Sequence, residues 1–239
     1  MAKNGSGTRR VLALVTNTAD YEQVGYRTGL WLGELTHFQD VLEEAGYEVE
    51  IASPRGGYVP IDPVSLSTMM LKMGGTEKRY ADPAYMATLQ ESLSVTEIRV
   101  EDYDAIYLTG GHGTMFDFRE PEVAQLVGQF ADAGKVVAAV CHGPVGLLDV
   151  TLADGTPLLA GRKVTGFSWR EEKMADRRDA VPFNLEKELG RRGKYDKAAL
   201  PMKPNVVVDG TLVTGQNPTS AKGVGKAVVK LLKKAAKRG

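Results

Sequence analysis

The sequence predicts an α/β fold in which a mostly parallel sheet is covered by helices on both faces. Two observations lead to this prediction: short apolar runs alternate with longer segments of helical period, and the apolar run Val136–Val140 contains no alternating polar residues. The first pattern is typical of strand–helix–strand units, and the second of a strand buried on both faces. The 239 residues contain no internal repeat and no low-complexity linker, so we predict a single domain over residues 1–239.

The first half of the chain provides two predicted strands, one long helix and an insertion. Residues 11–15 are an apolar run, and residues 28–45 place their apolar side chains on one helical face. Glu48–Ser53 is the second strand. The next segment is rich in Met, Pro and Gly and fits the alternation least, with one predicted helix near residues 83–93. We predict that this segment, residues 58–101 in approximate bounds, is an inserted cap at one edge of the sheet.

The second half of the chain repeats the alternation. Residues 105–109 form a predicted strand that leads into a glycine loop and a helix beginning at Pro121. The elements that follow are a central strand at Val136–Val140, a strand at 163–167, a helix near 181–191, two strands at 206–208 and 212–214, and a C-terminal amphipathic helix. The dipeptide Asp209-Gly210 between the last two strands predicts a type I′ hairpin turn.

The charge balance gives no sign of a nucleic-acid or membrane partner. Lys and Arg together number 30, as do Asp and Glu, so the formal net charge is zero. The basic stretch after Lys222 predicts a solvated surface helix rather than a membrane or RNA contact. No apolar run approaches the about eighteen residues of a membrane span, and the first run is a strand rather than a signal peptide. We therefore expect a cytoplasmic protein, and its single cysteine excludes an intrachain disulfide.

Cys141 is the candidate nucleophile. It directly follows the strand Val136–Val140 and precedes Gly143 and Pro144, which are typical of a helix start. In parallel sheets ligands bind beyond the carboxyl ends of the strands, and a sharp strand-to-helix turn projects its residue into that space as a nucleophile elbow. The unpaired N–H groups of the following helix are expected to lower the thiol pKa and to stabilise an oxyanion. The alternative is a buried structural cysteine, but the adjacent His142 favours catalysis.

A second glycine loop, TGGHGTMFDF at residues 109–118, is expected at the same edge of the sheet. It follows a strand that should neighbour the Cys141 strand. An oxyanion hole needs two N–H donors that can approach the reacting atom, and glycine permits such an approach. We assign these donors to Gly111 and His142. The alternative is an ordinary tight turn between a strand and a helix.

Glu34 lies on the apolar side of its predicted helix, between Trp31 and Leu35, where an unpaired carboxylate is costly. Glu34 and His37 form an E-x-x-H sequence, a metal-ligand spacing in some helical bundles, although that motif normally occurs twice. We favour a carboxyl group that burial keeps protonated, so that it hydrogen-bonds the thiolate and relays protons. His37 is then structural or partly exposed, and a weak metal site there is left open.

These motifs identify the chain as similar to the ThiJ/PfpI superfamily, the class I glutamine-amidotransferase-like proteins. Within it, the sequence most resembles the branch of heat-inducible chaperones and glutathione-independent glyoxalases, also called glyoxalase III. The resemblance runs from about Arg10 to about Ala236. The segments that carry it are AVCHGPVGLL, GGHGTMFDF, TGLWLGEL, KVTGFS, VPFNLEKEL and LVTGQNPTSA.

The resemblance implies a flavodoxin-like three-layer sandwich that usually forms a homodimer. It also implies that Cys141 is the nucleophile, with Glu34 and His142 in the site. The third acid of the triad would lie in SWREEK, where spacing favours Glu172 and leaves Glu171 as the alternative. The expected reaction converts methylglyoxal to D-lactate, or glyoxal to glycolate, through a hemithioacetal on the cysteine, with no metal or other cofactor.

Three alternative functions are compatible with the same residues. One is a cysteine hydrolase that cleaves peptides or amides, although a cap that narrows the pocket would favour small aldehydes. Another is a holdase chaperone, whose client surface would include Met69, Met70, Leu71 and Met73, unless these residues are core or dimer interface. The third is oxidative sensing, because an exposed thiol of low pKa is readily oxidised.

Overall fold

Seven strands form the central sheet of the computed structural model, which describes residues 9–237. These seven strands and two strands of a smaller sheet are, in chain order, β1 (Arg10–Leu14), β2 (Glu48–Ser53), β3 (Leu93–Ser94), β4 (Ala105–Leu108), β5 (Val136–Val140), β6 (Lys163–Val164), β7 (Lys194–Tyr195), β8 (Val206–Asp209) and β9 (Leu212–Gly215). Across the sheet their order is β3-β2-β1-β4-β5-β9-β8, and β6 and β7 form a separate small sheet. All neighbours in the large sheet are parallel except β8 and β9. The prediction of a mostly parallel sheet is confirmed.

Helices cover both faces of this sheet and complete three layers. The α-helices are α1 (Leu32–Glu44), α2 (Thr68–Lys72), α3 (Thr76–Tyr80), α4 (Pro83–Ala87), α5 (Thr114–Asp117), α6 (Pro121–Asp132), α7 (Trp169–Met174), α8 (Leu185–Arg192) and α9 (Ala221–Ala236). Alternate residues of β1 point to opposite faces, as the pleat requires. Val11 and Ala13 pack with the apolar residues of α1 and α9, whereas Leu12 and Leu14 pack with those of α6. This is the flavodoxin-like sandwich that the sequence resemblance implied.

The predicted strand at 163–167 is only partly a strand. Lys163–Val164 pairs with β7 outside the main sheet, because β9 already occupies the free edge of β5. The chain beyond Val164 then crosses the end of β5, where the N–H of Phe167 donates to the carbonyl of Cys141 at 2.8 Å. This displacement from the sheet brings the start of α7 beside the cysteine.

The turn between β8 and β9 differs from the predicted type I′ turn. Asp209 pairs with Leu212, so the two loop residues are Gly210 and Thr211. A type I′ turn needs positive φ at both central residues. Gly210 has φ 61°, whereas the β-branched Thr211 is not among the residues with positive φ. A positive φ at the first position alone is the pattern of a type II′ turn.

Residues 58–101 contribute short helices and the edge strand β3, and one part of the segment reaches the cleft in front of Cys141. Met69 is exposed and Met70 is half-buried, while the side chain of Met73 lies outside the described part of the structure. Among residues 9–237, no helix combines the length and the apolar character needed to cross a bilayer.

Candidate active site

Cys141 forms a strained elbow at the carboxyl end of β5. Its φ of 57° is in the left-handed region, which costs energy for a residue with a Cβ and is typical of functional positions. The elbow is held on both sides, because the Cys141 N–H donates to Gly215 at 2.9 Å and its carbonyl accepts from Phe167. Gly143 is required next to it, since a Cβ at that position would lie 2.2 Å from the carbonyl oxygen of Leu108.

A chain of three side chains runs from this elbow. The Cys141 Sγ lies 3.3 Å from Nδ1 of His142, and Nε2 of His142 lies 2.8 Å from Oε2 of Glu172. His142 and Glu172 are 1% and 3% exposed, so water does not compete for these contacts. Because Nε2–H donates to the carboxylate, Nδ1 carries a lone pair toward the thiol. The arrangement has the geometry of a nucleophile, a base and an acid that orients the base.

Glu171, the alternative for the third acid, lies apart from the histidines. It accepts hydrogen bonds from the N–H and hydroxyl of Ser168, the side-chain amides of Gln216 and Asn217, and the N–H of Met202. These donors hold its pKa below the usual range despite burial. Glu171 therefore joins α7 to the loops after β7 and β9, whereas Glu172, the next residue on the helix, faces His142.

His112 is a site residue that the sequence analysis missed. Its Nε2 lies 2.6 Å from the second carboxylate oxygen of Glu172, and its ring centroid is 4.1 Å from that of His142. The glycines of the loop at 109–118 indicated N–H donors and gave no role to its histidine. The available signal was that His112 and His142 follow β4 and β5, which are parallel neighbours and therefore end at the same edge of the sheet.

The two histidines and Glu172 share one electrostatic arrangement. Burial opposes ionisation of Glu172, but the adjacent His142 and the hydrogen bonds from both rings hold its pKa well below the usual range. Burial and the neighbouring His112 lower the pKa of His142, and Glu172 offsets this only in part. Around neutral pH the carboxyl group is therefore ionised, and His142 is a neutral base.

Glu34 approaches the cysteine from α1 on the other side of the glycine loop. Its Oε2 accepts the N–H of Gly110 at 2.8 Å, and burial raises its pKa to about 8. A Cβ on Gly110 would lie 2.4 Å from Glu34 Oε2 and 2.7 Å from the Cβ of Cys141. The side chains of Glu34 and Cys141 therefore both pack against Gly110. The other oxygen of Glu34, Oε1, is buried with no hydrogen-bond partner among the described residues. Interaction with the Cys141 thiol partly offsets the effect of burial on the pKa of Glu34, so the two side chains act on each other directly.

The prediction of a lowered thiol pKa is wrong. Burial raises the pKa of Cys141 well above its ordinary value, and the surrounding carboxyl groups act in the same direction. The helix that follows the elbow is a five-residue 3-10 helix at Gly143–Leu147, too short to supply the positive end of a long α-helix. The thiol is therefore neutral in the resting protein and needs a base at the moment of attack.

Gly111 and His142, whose N–H groups are the predicted oxyanion donors, both line the cleft that contains Cys141. Within residues 9–237, neither N–H group donates a hydrogen bond to the protein, although each belongs to a buried residue. Gly111 has φ 105°, and a Cβ there would lie 2.2 Å from the carbonyl oxygen of Gly29. Only glycine therefore fits at this position, and the two N–H groups without a protein acceptor are available to an oxyanion.

A cavity of about 290 Å³ opens in front of Cys141. Its floor is polar and contains the cysteine, His112, His142 and the Gly111 backbone. The rest of its lining is mostly apolar and comprises Tyr21, Trp31, Val64, Met70, Phe167, Met174, Ala175, Met202 and Pro218, with Asp62, Glu171 and Arg177 also contributing. Residues 58–101, the predicted cap, supply Asp62, Val64 and Met70 to this lining.

His112, His142 and Glu172 form the one group among the described residues whose ligand atoms, all within 4.8 Å of one another, could hold a metal ion. Two hydrogen bonds already explain why these three side chains lie together, because the Nε2–H of each histidine donates to one oxygen of Glu172. The E-x-x-H pair of α1 is not such a group. Glu34 faces Gly110, whereas Nε2 of His37 lies 3.1 Å from the hydroxyl of Thr76.

Comparison with known proteins places this site in a recognised family. Residues 29–231 match the DJ-1/PfpI family. The chain is 30% identical over 226 residues to the glutathione-independent glyoxalase HSP31 of Saccharomyces cerevisiae, covering 89% of this chain and 93% of that protein.

Two solved structures have the same fold over nearly their whole length. The rapid encystment protein of 24 kDa from Francisella tularensis superposes with a TM-score of 0.88 at 34% identity, over 94% of this chain and 99% of that one. Glyoxalase III from Candida albicans superposes with a TM-score of 0.85 at 27% identity, over 94% and 98% of the two chains.

Proposed function

The chain belongs to the DJ-1/PfpI family, and we propose that it is a glutathione-independent glyoxalase that converts methylglyoxal to D-lactate and glyoxal to glycolate. The observation that carries the proposal is the pairing of a neutral cysteine–histidine couple with a buried carboxyl group that retains its proton to about pH 8. Isomerisation of an α-oxoaldehyde needs a nucleophile, a base and a proton donor around two adjacent carbons. Cys141, His142 and Glu34 supply these three groups.

The reaction begins when the thiol proton of Cys141 passes to Nδ1 of His142, 3.3 Å away, and sulfur attacks the aldehyde carbon. The new C–S bond converts the carbonyl oxygen to an oxyanion. The free N–H groups of Gly111 and His142 stabilise this charge. Glu172 stabilises the imidazolium ion that forms, because its carboxylate is ionised and accepts a hydrogen bond from the Nε2–H of His142.

His142 returns its proton to the oxyanion, which gives the neutral hemithioacetal and makes Nδ1 a base again. A proton then moves from C1 to C2 of the hemithioacetal. Removal of the C1 proton gives an enediol, and its return to C2 gives a thioester of a 2-hydroxy acid, with no net gain or loss of electrons. Glu34 or His142 is the relay, since both lie against the cysteine. Water then attacks the thioester with His142 as base, which releases the acid and restores the thiol.

His112 is proposed as a positioning residue in this scheme. Its bond to Oε1 of Glu172 fixes the carboxylate so that Oε2 faces His142. The ring of His112 also helps to keep His142 neutral, which leaves the base ready to accept the thiol proton.

The homodimer implied by the sequence resemblance remains a prediction. Analytical ultracentrifugation of the purified protein would test it, and a monomeric species at micromolar concentration would contradict it.

The proposed function is tested by D-lactate formation from methylglyoxal in the absence of glutathione. The wild-type protein should convert methylglyoxal to D-lactate. Cys141→Ser should lose this activity altogether, because the hydroxyl group is a far poorer nucleophile at a site without a strong base. Glu77→Gln, an exchange on the exposed surface of α3, is the matched control and should retain full activity. No turnover by the wild type would redirect the assignment to the cysteine-hydrolase, chaperone or sensing alternatives.

A further inference from the structure

The cavity above Cys141 is much larger than a two- or three-carbon aldehyde needs. Its volume is about 290 Å³, which corresponds to roughly ten water molecules at about 30 Å³ each. The hemithioacetal of methylglyoxal would occupy only the floor near Cys141. The cap therefore encloses the site without narrowing it to the size of the small aldehyde.

The walls above the floor favour an apolar occupant. Trp31, Phe167 and Met70 line the cavity with aromatic and thioether surfaces, and Met174 and Met202 lie at its exposed rim. Methionine side chains are flexible and polarisable, so they adapt to apolar groups of different shape. Methylglyoxal and glyoxal would leave most of this apolar surface in contact with water.

The charged residues of the lining are already engaged by the protein. Asp62 accepts hydrogen bonds from the N–H of Val64 and the hydroxyl of Thr28. Glu171 accepts the set of bonds described above. Arg177 lies over the rings of Tyr21 and Tyr26, and its guanidinium group donates to the carbonyl of Asp176. All three charged residues already have protein partners, so an ionic substituent on the substrate would gain little binding free energy from them.

We propose that the substrates best suited to this site are α-oxoaldehydes whose ketone carbon carries a bulky, uncharged apolar group, such as a ring or a branched alkyl chain. This inference rests on the proposed glyoxalase function and extends it to a substrate class. The aldehyde carbon reacts with Cys141 on the polar floor, and the apolar group fills the space between Trp31, Phe167 and Met70. Binding removes this group and the walls from water together.

The experiment compares kcat/KM for cyclohexylglyoxal and methylglyoxal with the wild-type protein. We expect a value about tenfold higher or more for cyclohexylglyoxal, mainly through a lower KM, because burial of a ring-sized apolar group favours binding by at least that factor. Equal or lower kcat/KM for cyclohexylglyoxal, with methylglyoxal still turned over, would overturn the inference alone. Turnover of neither aldehyde would overturn the proposed function and the inference with it.

Two adjacent methionines provide a matched pair of variants. Met70 lines the cavity, whereas Met69 is 66% exposed and does not line it. Met70→Ala should raise KM for cyclohexylglyoxal about fivefold more than it raises KM for methylglyoxal. Met69→Ala should change neither value. Equal effects of the two substitutions would show that the Met70 wall does not contact the substrate.

A third variant fills the cavity instead of enlarging it. Ala175 lies at the C-terminal end of α7, is exposed and lines the cavity mouth, so a larger side chain there disturbs no core packing. Ala175→Phe should remove the preference for cyclohexylglyoxal while methylglyoxal turnover persists. A retained preference would mean that the ring lies elsewhere, and the assignment of the cavity would be wrong.

Discussion

Two buried glutamates on opposite sides of Cys141 have opposite protonation behaviour. Glu34 is fully buried with one N–H donor, and burial raises its pKa to about 8. Glu172 is nearly as buried, but two histidine rings hold its pKa well below the usual range. Burial favours the protonated form of both carboxyl groups, and only partners as strong as the two histidines of Glu172 overcome it.

Among the groups around Cys141, the largest expected effect comes from removing the proton of Glu34. In Glu34→Gln the amide oxygen can still accept the Gly110 N–H, but the relay proton is lost. We expect kcat for methylglyoxal to fall about a thousandfold, within the usual range for a general acid or base. Steady-state assays of D-lactate release measure this, and unchanged kcat would show that His142 is the sole relay.

A smaller loss is expected when the charged partner of the base is neutralised. Glu172→Gln should lower kcat about a hundredfold, because the imidazolium form of His142 loses its counter-charge while the ring keeps a hydrogen-bond partner. The neighbouring Glu171→Gln is the matched control. It should lower the unfolding temperature, through loss of charge-assisted bonds worth about 2 kcal/mol, with a weaker effect on kcat. The reverse pattern would exchange the roles assigned to the two residues.

The two glutamates should also give opposite dependences of stability on pH. The pKa of Glu34 rises from 4.5 to about 8 on folding, so its contribution is complete below pH 4.5 and is lost as pH rises through 8. The lowered pKa of Glu172 contributes stability above pH 4.5 that is lost as pH falls through its folded pKa.

Thermal or chemical unfolding at pH 5 and pH 8 isolates the Glu34 contribution. Glu34→Gln should gain on the order of 3 kcal/mol relative to the wild type over this interval, since each pKa unit corresponds to about 1.4 kcal/mol. A constant difference between the two proteins would mean that Glu34 is ionised throughout.

The smallest expected effect concerns His112. The substitution His112→Gln removes a neighbour that lowers the pKa of His142 and frees more of Glu172 to stabilise the protonated ring, so the pKa of His142 should rise. The acidic limb of the kcat/KM profile should move to higher pH, with a rate a few-fold lower at pH 6 and little change at pH 8. A uniform loss at every pH would indicate a purely structural role.

Much of the site was predictable because the sequence carries local signals for it. A non-alternating apolar run followed by Cys-His-Gly-Pro placed Cys141 at the carboxyl end of a buried strand, and the structure has it there. A glutamate among apolar residues of a helix likewise indicated a buried carboxyl group at Glu34. These predictions follow from periodicity and burial, which depend on residues near one another in the chain.

Other features depended on contacts between distant segments. The choice between Glu171 and Glu172, the partnership of His112 with Glu172, and the size of the cavity are set by how α7, the loop after β4 and the cap pack together. The thiol pKa was wrongly predicted for the same reason. Burial of Cys141 by distant segments raises its pKa, and this effect outweighs any lowering by the short 3-10 helix.

The strand–helix alternation, the elbow at Cys141 and the buried glutamate follow from the sequence, because apolar period and turn residues act locally. The folded structure was needed to show which acid contacts His142 and how the charges around it balance. Desolvation and hydrogen bonding act through space, and residues 34, 112, 142 and 172 become neighbours only when the parallel strands align their carboxyl ends.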